Sequence, residues 1–517
     1  MRILSRQTAV VVVLGALAIL IALARLHTYH EPLERDITSA AVIANEMLAG
    51  RALYADLWDH KPPAVHVTHA LAIMLVGRGP GAIYLLNIAA AVVTLLGVFV
   101  AASAVGGTAA GLWGAAFWTL VSGDLWLQAN QPNAEVFINA SIVWAFALLV
   151  GGSERRHVLR VVAIGGLFAL ASLYKPVSAA TAAVLALAHV IAPWPGCSRR
   201  RALGDALLIG GIGAAAWLGT AAYFAARAHF TDFYQAVFAY NRYYSTHFWG
   251  DNAHASQTVV SNLLNSFFPD RSFPVLSLLT TLAVFTLAGA IYDTIRAPRR
   301  QWLMLFGFGV GTHIAVALPG QWWPHYYQLW LPPIAIGAGW AAVASRASGA
   351  QWMPRWVSTT AASTTILLLL AQQIPLYRVP PEAWSQLKYG ELFVAEQKLG
   401  RELGALLATN ETFYEFGAET GLYFESRHSP PSGAFYAYPL LEGPEASSLT
   451  SRAIIDLEHR LPTMLVVDQT LLQLGWGRHP ILEWAGSRYV QMAGNNHRAV
   501  FLLFVRRGSR LDVTKTR

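Results

Sequence analysis

The sequence contains few charged residues for its length. Of its 517 residues, 13% are charged and 55% are hydrophobic, and the mean hydropathy is +0.41. Soluble domains carry about 25% charged residues, so this deficit indicates that lipid surrounds much of the chain. The net charge is +8, but the basic residues occur in short clusters between apolar runs. That placement is typical of residues that set membrane topology, and it argues against a nucleic-acid-binding face.

Cysteine is nearly absent, and so are phosphate-binding glycine motifs. Cys197 is the single cysteine, which excludes an internal disulfide framework and predicts no cysteine-based zinc site. Neither a P-loop nor a G-x-G-x-x-G motif opening a helix after a strand is found. This absence argues against an enzyme that uses ATP or a nucleotide sugar. The sequence also shows no internal repeat and no low-complexity segment.

Long apolar runs are the dominant feature of the sequence. A membrane span requires about 20 mostly apolar residues, and on that rule the chain is a mainly α polytopic protein with about 11 transmembrane helices. The first run is longer than the roughly 7–15 apolar residues of a signal peptide, so an uncleaved span is favoured over a cleaved signal. The stretch 64–76 is shorter and contains two histidines, which favours a helix lying in the membrane interface. The predicted spans lie near 8–26, 82–104, 108–122, 134–151, 159–174, 177–193, 206–227, 273–293, 302–318, 328–345 and 357–374.

The arginine clusters predict the orientation of these spans. Clusters at the N-terminus, at 155–156, 199–201 and 296–300, and at 346 and 355 mark alternate loops as cytoplasmic. The N-terminus is then cytoplasmic. The same rule places five segments on the opposite side of the membrane: 34–63, 122–135, 174–176, 230–271 and 321–328.

The composition changes after Pro375. A helix is predicted over 382–407 and another over 452–461, with strands at 412–416, 463–467, 489–492 and 500–505 and a turn at 494–496. We therefore predict two domains. Residues 1–374 form a transmembrane domain with external loops 27–81 and 228–272, and residues 375–517 form a small extracytoplasmic α/β domain.

The first external loop concentrates the charge that the sequence otherwise lacks. Between Glu34 and Pro63, acidic, basic and aromatic side chains crowd beside a rigid Pro-Pro pair. A solvated loop with an interfacial lysine is the alternative reading. The side chains concerned are Arg35, Asp36, Tyr54, Asp56, Trp58, Asp59, His60 and Lys61.

This loop resembles the first external loop of bacterial GT-C glycosyltransferases. These are the relatives of protein O-mannosyltransferase and aminoarabinose transferase, including the dolichyl-phosphate-mannose and RgtA/B/C/D-like groups. The resemblance covers roughly residues 1–345. The matching stretches are 33–36, Gly50, 54–56 and 58–63 in the loop, and then 133–137, 174–176, 324–328 and 331–333.

The resemblance implies a glycosyltransferase of the bacterial inner membrane. The enzyme would transfer a hexose or pentose from a polyprenyl-phosphate donor to an envelope glycan, lipid or protein at the outer face, without binding nucleic acid. A carboxylate within reach of the acceptor hydroxyl can take its proton, and a cation can stabilise the departing phosphate. By resemblance, Asp36 is the general base and Lys61 contacts the donor phosphate, in a single displacement that inverts the anomeric centre.

One departure from the family concerns the residue after Asp36. Many relatives have a second acid there, whereas this chain has Ile37. Glu135 is the first candidate to replace that acid as a second catalytic residue, followed by Asp59 and Asp124. The remaining residues predicted to bind the donor phosphate or substrate are Arg35, Tyr54, Asp59, Lys175, His325 and Tyr326.

Each of these residues also has a structural interpretation. Asp36 also fits a structural partner of Arg35 or a loop cap, and Glu135 also fits a carboxylate favoured by a helix dipole. Lys175 also fits a snorkelling lysine, and His325 a member of an interfacial aromatic belt.

No cofactor is assigned from the sequence. His27, His30 and His60, with Asp36 and Asp59, offer ligands for a divalent metal, but no spacing among them is diagnostic. Two alternative functions remain open. A transporter or flippase of lipid-linked sugars would carry ionisable residues near the membrane midplane. A non-catalytic relative that binds glycan would be compatible with Ile37.

Overall fold

The computed structural model describes residues 6–152, 156–247, 259–266, 299–344, 354, 356–492, 497 and 499–512. In these residues the chain is mainly helical, with one small β-sheet. The chain forms two compact units, and each unit is assembled from three separate segments. The first comprises residues 1–29, 83–221 and 245–380, and the second comprises 30–82, 222–244 and 381–517. The predicted domain boundary at 374/375 stays a prediction.

The described α-helices are numbered in chain order. They are α1 Arg6–His27, α2 Arg35–Leu48, α3 Pro63–Val76, α4 Pro80–Val121, α5 Ala134–Val150, α6 His157–Tyr174, α7 Ala179–Ile191, α8 Arg199–Ala226, α9 Phe230–Tyr234, α10 Tyr240–Tyr244, α11 Val259–Asn265, α12 Arg299–Ala317, α13 Leu331–Ala341, α14 Val357–Gln373, α15 Pro381–Tyr389, α16 Leu392–Leu406, α17 Gly421–Ser426, α18 Tyr438–Leu441, α19 Ala446–His459, α20 Gln469–Gln473 and α21 Pro480–Gly486.

Five of the described helices are long and apolar enough to cross a membrane. They are α1, α4, α6, α8 and the run Val357–Arg378 that contains α14. They support an integral membrane protein. Other predicted spans coincide with shorter helices, such as α5 and α7, and the predicted span 273–293 lies outside the described residues. The total of 11 spans stays a prediction.

Helix α4 is a helical hairpin. Gly107 interrupts its 42 residues with a φ of 81°, a left-handed backbone conformation that glycine adopts without steric cost. The indole Nε1 of Trp118 donates a hydrogen bond of 2.9 Å to the carbonyl oxygen of Ala91. In a straight helix these residues would lie about 40 Å apart. The two arms therefore fold back on each other, as expected for the separate predicted spans 82–104 and 108–122.

In the second unit, the predicted loop 34–63 contains a regular helix. Helix α2 occupies 14 residues of it and buries most of its side chains. Its sequence is rich in alanine and other helix-compatible residues, and Gly50 follows it with a φ of 96°. The predicted helix over 64–76 is confirmed as α3, and Pro62 and Pro63 stand at its start.

The same unit contains the four-stranded sheet, in the order β1-β2-β4-β3. The strands are β1 Phe413–Phe416, β2 Met464–Asp468, β3 Tyr489–Gln491 and β4 Phe501–Arg506. Strands β1 and β2 are parallel, and the connection between them contains α19, as parallel neighbours require a crossover. Strand β4 pairs antiparallel with both β2 and β3. All four strands lie within a residue of their predicted positions, whereas the predicted turn 494–496 includes residues outside the described part.

The helix predicted over 382–407 is two helices in the structure. Gly390 separates α15 from α16 with a φ of 69°. Phe393, Glu396 and Leu403 of helix α16 are buried. A continuous amphipathic pattern therefore predicted the helical content, whereas the break depends on a single glycine.

Candidate active site

Asp36 and Lys61 form the centre of the candidate site in the second unit. Asp36 stands in the first turn of α2, where the helix dipole favours a carboxylate. Lys61 immediately precedes the two prolines that begin α3. Its Nζ lies 3.0 Å from Oδ1 of Asp36, and the side chains are 16% and 27% exposed, respectively. The sequence predicted both residues as functional, and the structure makes them a direct ion pair.

Asp59 is the buried carboxylate of this group. Its Oδ2 lies 3.8 Å from Nζ of Lys61 and 3.2 Å from Nε2 of His66. Its Oδ1 lies 3.3 Å from Nδ1 of His60 and accepts a hydrogen bond from the backbone N–H of Lys61. Burial alone would raise the pKa of Asp59, but Lys61 and the two histidines outweigh it and hold that pKa well below its usual range. Asp59 is therefore an anion that fixes its neighbours.

Lys61 is held as a cation by two carboxylates. Burial acts to lower the pKa of its ammonium group, but the charges of Asp36 and Asp59 are stronger and raise that pKa above its ordinary value.

The sequence had not assigned His66 to the site. The signal that could have found it is an ionisable residue in the first turn of an otherwise apolar helix.

Tyr54 shapes the backbone that carries Lys61. Tyr54 is almost fully buried. Its φ of 68° lies in the left-handed backbone region that residues other than glycine rarely adopt. Its hydroxyl donates a hydrogen bond of 2.8 Å to the carbonyl oxygen of Lys61. The contact orients the Lys61 main chain, and the predicted substrate role of Tyr54 stays a prediction.

Arg35 contacts the C-terminal segment of the same unit. Its guanidinium lies 2.8 Å from Oε1 of Glu419 and donates a hydrogen bond of 2.5 Å to the Tyr438 hydroxyl. It also lies 5.7 Å from the centre of the Phe393 ring. Thr420 adds a hydrogen bond of 3.1 Å to the carbonyl oxygen of Arg35. These contacts fix the first turn of α2, which also carries Asp36, and the predicted phosphate-binding role of Arg35 stays a prediction.

Several buried carboxyl groups surround Arg35 and the start of α2. Burial raises the pKa of Glu419 to about 7, although Arg35 opposes the shift. Burial, with the nearby charge of Asp36, raises the pKa of Glu34 to about 8. Burial also raises the pKa values of Glu396 and Glu415 well above their ordinary value. The sequence had assigned a chemical role to none of these four groups.

Four other predicted residues lie in the first unit. Nζ of Lys175 donates a hydrogen bond of 2.8 Å to Oε1 of Glu135, which is buried at the start of α5. The same Nζ lies 3.3 Å from the centre of the Tyr326 ring, in the position of a cation–π contact. The Tyr326 ring in turn packs edge-on against His325, with ring centres 4.8 Å apart.

His325 has a defined orientation. Its Nδ1 lies at hydrogen-bond distance, 3.0 Å, from Oε1 of Gln128.

Asp124, the third candidate for a second carboxylate, is buried and accepts a hydrogen bond of 2.8 Å from the backbone N–H of Leu127. That contact stabilises the turn after α4. A catalytic role for Asp124 or Glu135 stays a prediction.

The sequence offered several histidines and aspartates as metal ligands. Among the described residues, no three of them lie close enough together to share one metal ion. The three side chains there whose ligand atoms all lie within 4.8 Å of one another are His189, Cys197 and Asp205, in the first unit. This group is discussed below.

Comparison with solved structures identifies the fold. ArnT from Cupriavidus metallidurans bound to undecaprenyl phosphate superimposes with a TM-score of 0.58 at 15% identity, over 96% of this chain and 98% of that one. Its apo state gives a TM-score of 0.55 at 17% identity, over 97% and 98%. The oligosaccharyltransferase AglB from Archaeoglobus fulgidus, in complex with an inhibitory peptide and a dolichol-phosphate, gives 0.51 at 12% identity, over 98% and 75%.

Both proteins are GT-C glycosyltransferases, so the predicted resemblance in fold is confirmed over nearly the whole chain. No protein-family model matches the sequence, and no curated protein matches it.

Proposed function

We propose that this protein transfers a sugar from a polyprenyl-phosphate donor to an acceptor hydroxyl at the outer face of a bacterial inner membrane. The observation that carries the proposal is the contact of 3.0 Å between Lys61 and Asp36, in which the carboxylate keeps 27% of its surface exposed. The fold supports the donor class, because ArnT is seen with undecaprenyl phosphate and AglB with a dolichol-phosphate.

Lys61 acts on the donor phosphate. An ammonium group has three N–H donors, so one can reach a phosphate oxygen while the others stay with Asp36 and Asp59. Phosphate is the leaving group of the reaction, and a fixed cation stabilises the charge that develops on it. Asp59 contributes by holding Lys61 in place, since its charge is buried and contacts Lys61 and His66.

Asp36 acts as the general base. Its carboxylate accepts the proton of the acceptor hydroxyl while the hydroxyl oxygen forms a bond to the anomeric carbon. The bond from that carbon to the phosphate oxygen breaks, and the polyprenyl phosphate leaves. This single displacement inverts the anomeric centre. Asp36 suits the role better than Asp59 because it is the more exposed of the two carboxylates that contact Lys61.

Arg35 acts as a positioning residue for Asp36. The two are adjacent in the first turn of α2, and Glu419 and Tyr438 hold the Arg35 side chain. A displacement of about 1 Å at a reacting group costs an enzyme up to about 100-fold in rate. The C-terminal segment therefore contributes to catalysis through the placement of this turn.

In the first unit, Lys175 is a second cation for the donor or substrate, and Glu135 is its carboxylate partner. The contacts of Lys175 with Glu135 and the Tyr326 ring fix the direction of its ammonium group. The hydrogen-bond contact with Gln128 fixes the His325 ring in the same way. The acceptor is an envelope glycan, lipid or protein, and the sugar is a hexose or pentose.

The test is sugar transfer by the purified full-length protein with a panel of polyprenyl-phosphate hexoses and pentoses. Loss of a general base lowers the rate by about 10²–10⁴-fold, so Asp36→Asn should lose activity by that factor. Asp56→Asn is the matched control, because Asp56 is an exposed carboxylate of the same segment that caps the backbone N–H of Ala52.

Transfer at a near-parent rate in Asp36→Asn would refute the assignment of the base. No transfer from any donor of the panel by the parent protein, combined with movement of a lipid-linked sugar across the bilayer, would instead identify a flippase.

A further inference from the structure

A second polar cluster lies in the first unit, where α7, the connection after it and α8 meet. His189 is on α7, Cys197 is in the connection, and Asp205 is on α8. All three side chains are buried, and their ligand atoms lie within 4.8 Å of one another. Nothing in the proposed sugar transfer uses these residues.

The geometry within the cluster matches that of ligands sharing one metal ion. Nε2 of His189 lies 3.1 Å from Oδ2 of Asp205. Two ligands at about 2.0–2.1 Å from a tetrahedral zinc ion are themselves about 3.3 Å apart. The ordinary alternative is a buried hydrogen bond between the two side chains with no ion between them.

One further observation points to a ligand. His157 lies outside the group of three, but its Nε2 is 2.7 Å from the other oxygen of Asp205. Carboxylates that bind metals are commonly held by such an outer partner.

Trp194 encloses the cluster. Its ring centre lies 4.5 Å from that of His189 and 5.2 Å from that of His157. Its indole N–H donates a hydrogen bond of 2.6 Å to the carbonyl oxygen of Leu149, which fixes the ring. The ring thus packs against both histidines and limits their movement.

We propose that His189, Cys197 and Asp205 bind a thiophilic divalent cation, with zinc the best match, and that His157 orients Asp205. Thiolate, imidazole and carboxylate are all ligands of zinc, and a divalent cation with one thiolate and one carboxylate forms a neutral centre suited to burial. The cation ties α7 to α8 through their connection and is structural. The sequence predicted no such site because a single cysteine gives no characteristic spacing, whereas the structure adds His189 and Asp205.

The single cysteine makes this site directly testable. The full-length protein, purified through a tag without histidine, should contain about one zinc per chain by elemental analysis. Replacement of the metal by Co²⁺ should produce the charge-transfer absorption of a cobalt–thiolate bond, which only Cys197 can supply. A thiol reagent should modify Cys197 faster after chelation than before it.

Variants extend the test. Cys197→Ser should abolish the cobalt–thiolate absorption, and Asp205→Asn should reduce zinc content, while His459→Ala, at an exposed histidine, should change neither. The cobalt spectrum of the parent protein does not depend on whether a variant folds. Absence of zinc, of the cobalt–thiolate band and of any effect of chelation on Cys197 would overturn the proposal and leave an internal hydrogen-bonded cluster.

Discussion

Arg35 and Glu419 form an ion pair of 2.8 Å in which the Glu419 side chain is 1% exposed. Arg35 begins the helix that carries Asp36, and Glu419 follows the first strand of the C-terminal sheet. The pair therefore connects the candidate base to a segment that the sequence had suggested only as a separate small domain. The pair is sensitive to pH because the carboxyl group of Glu419 can take up a proton.

Glu419 should make the protein less stable as the pH rises from about 4.5 to about 7. The pKa of Glu419 is raised from 4.5 to about 7, so between these values the folded protein holds a proton that the unfolded chain has released. Each pKa unit corresponds to about 1.4 kcal/mol, so the free energy of unfolding should fall by up to about 3 kcal/mol across this pH range. Glu419→Gln remains uncharged and should not show this contribution.

The measurement is the pH dependence of unfolding for the parent protein and the variant, and the contribution of Glu419 is read from the difference between the two. Glu458→Gln, at an exposed glutamate, is the control and should follow the parent at every pH. A parent-minus-Glu419→Gln difference that does not change between pH 4.5 and 7 would show that Glu419 ionises normally in the folded protein.

Lys61→Met should weaken binding of polyprenyl phosphate. A hydrogen bond to a charged group contributes about 1.5–3 kcal/mol, so the dissociation constant should rise about 10- to 100-fold. The assay is binding of undecaprenyl phosphate to purified protein in detergent or nanodiscs. Lys398→Met removes an exposed lysine whose partner is 3.9 Å away, and it should leave binding unchanged. Equal affinity in Lys61→Met and the parent protein would remove Lys61 from the phosphate site.

Glu135 and Lys175 should be energetically coupled. Their contact of 2.8 Å involves a glutamate side chain that is 2% exposed, and removing one member of a buried pair leaves the other charge without compensation. Glu135→Gln combined with Lys175→Met should therefore be less destabilising than the sum of the single changes, by at least about 1 kcal/mol. A double-mutant cycle on detergent-solubilised protein measures this.

The exposed pair Glu382 and Lys398 provides the reference cycle, for which the coupling should be close to zero because solvent screens exposed pairs. Strictly additive effects of the Glu135 and Lys175 substitutions would mean that their contact contributes nothing to stability. In that case the stabilising partners of Lys175 would have to be sought elsewhere, beginning with Tyr326.

Gly433→Ala should destabilise the second unit. A Cβ at this position would lie 2.0 Å from the backbone oxygen of Asp56, and backbone cannot move aside as a flexible side chain can. The carbonyl oxygen of Gly433 also accepts a hydrogen bond of 3.1 Å from the N–H of Trp58. Overpacking of this kind costs about 1–3 kcal/mol.

Gly486→Ala is the matched control, because a Cβ there meets nothing within 4 Å. Thermal unfolding of both variants should show a lower melting temperature for Gly433→Ala alone. A similar melting temperature for Gly433→Ala and the parent would mean that the segment around Asp56 relaxes without cost.

The sequence predicted local structure well where periodicity and residue type act over short distances. The four strands and the first span follow from such patterns. Asp36 and Lys61 are 25 residues apart in one segment, and both were recognised because charge is concentrated in that segment and rare in the rest of the chain. The helical content of that segment was missed, because its charged ends suggested a loop although its interior is rich in alanine.

Contacts between distant segments were beyond sequence analysis. No pattern relates Arg35 to Tyr438, since the two meet only after the C-terminal segment has folded onto α2. The cluster of His189, Cys197 and Asp205 was missed for another reason: its outer members are only 16 positions apart, but a single cysteine gives no characteristic ligand spacing. In each case the three-dimensional arrangement, and not the residue types, carries the information.

The separation of Arg35 from Tyr438 also sets an order of events during synthesis. The two residues are 403 positions apart in the chain. At about 5–20 residues per second, a ribosome takes about 20–80 s to pass from one to the other. Throughout that interval the turn that carries Asp36 exists without the residues that hold it. If the proposed function holds, competence for sugar transfer is therefore a late event in the biogenesis of this protein.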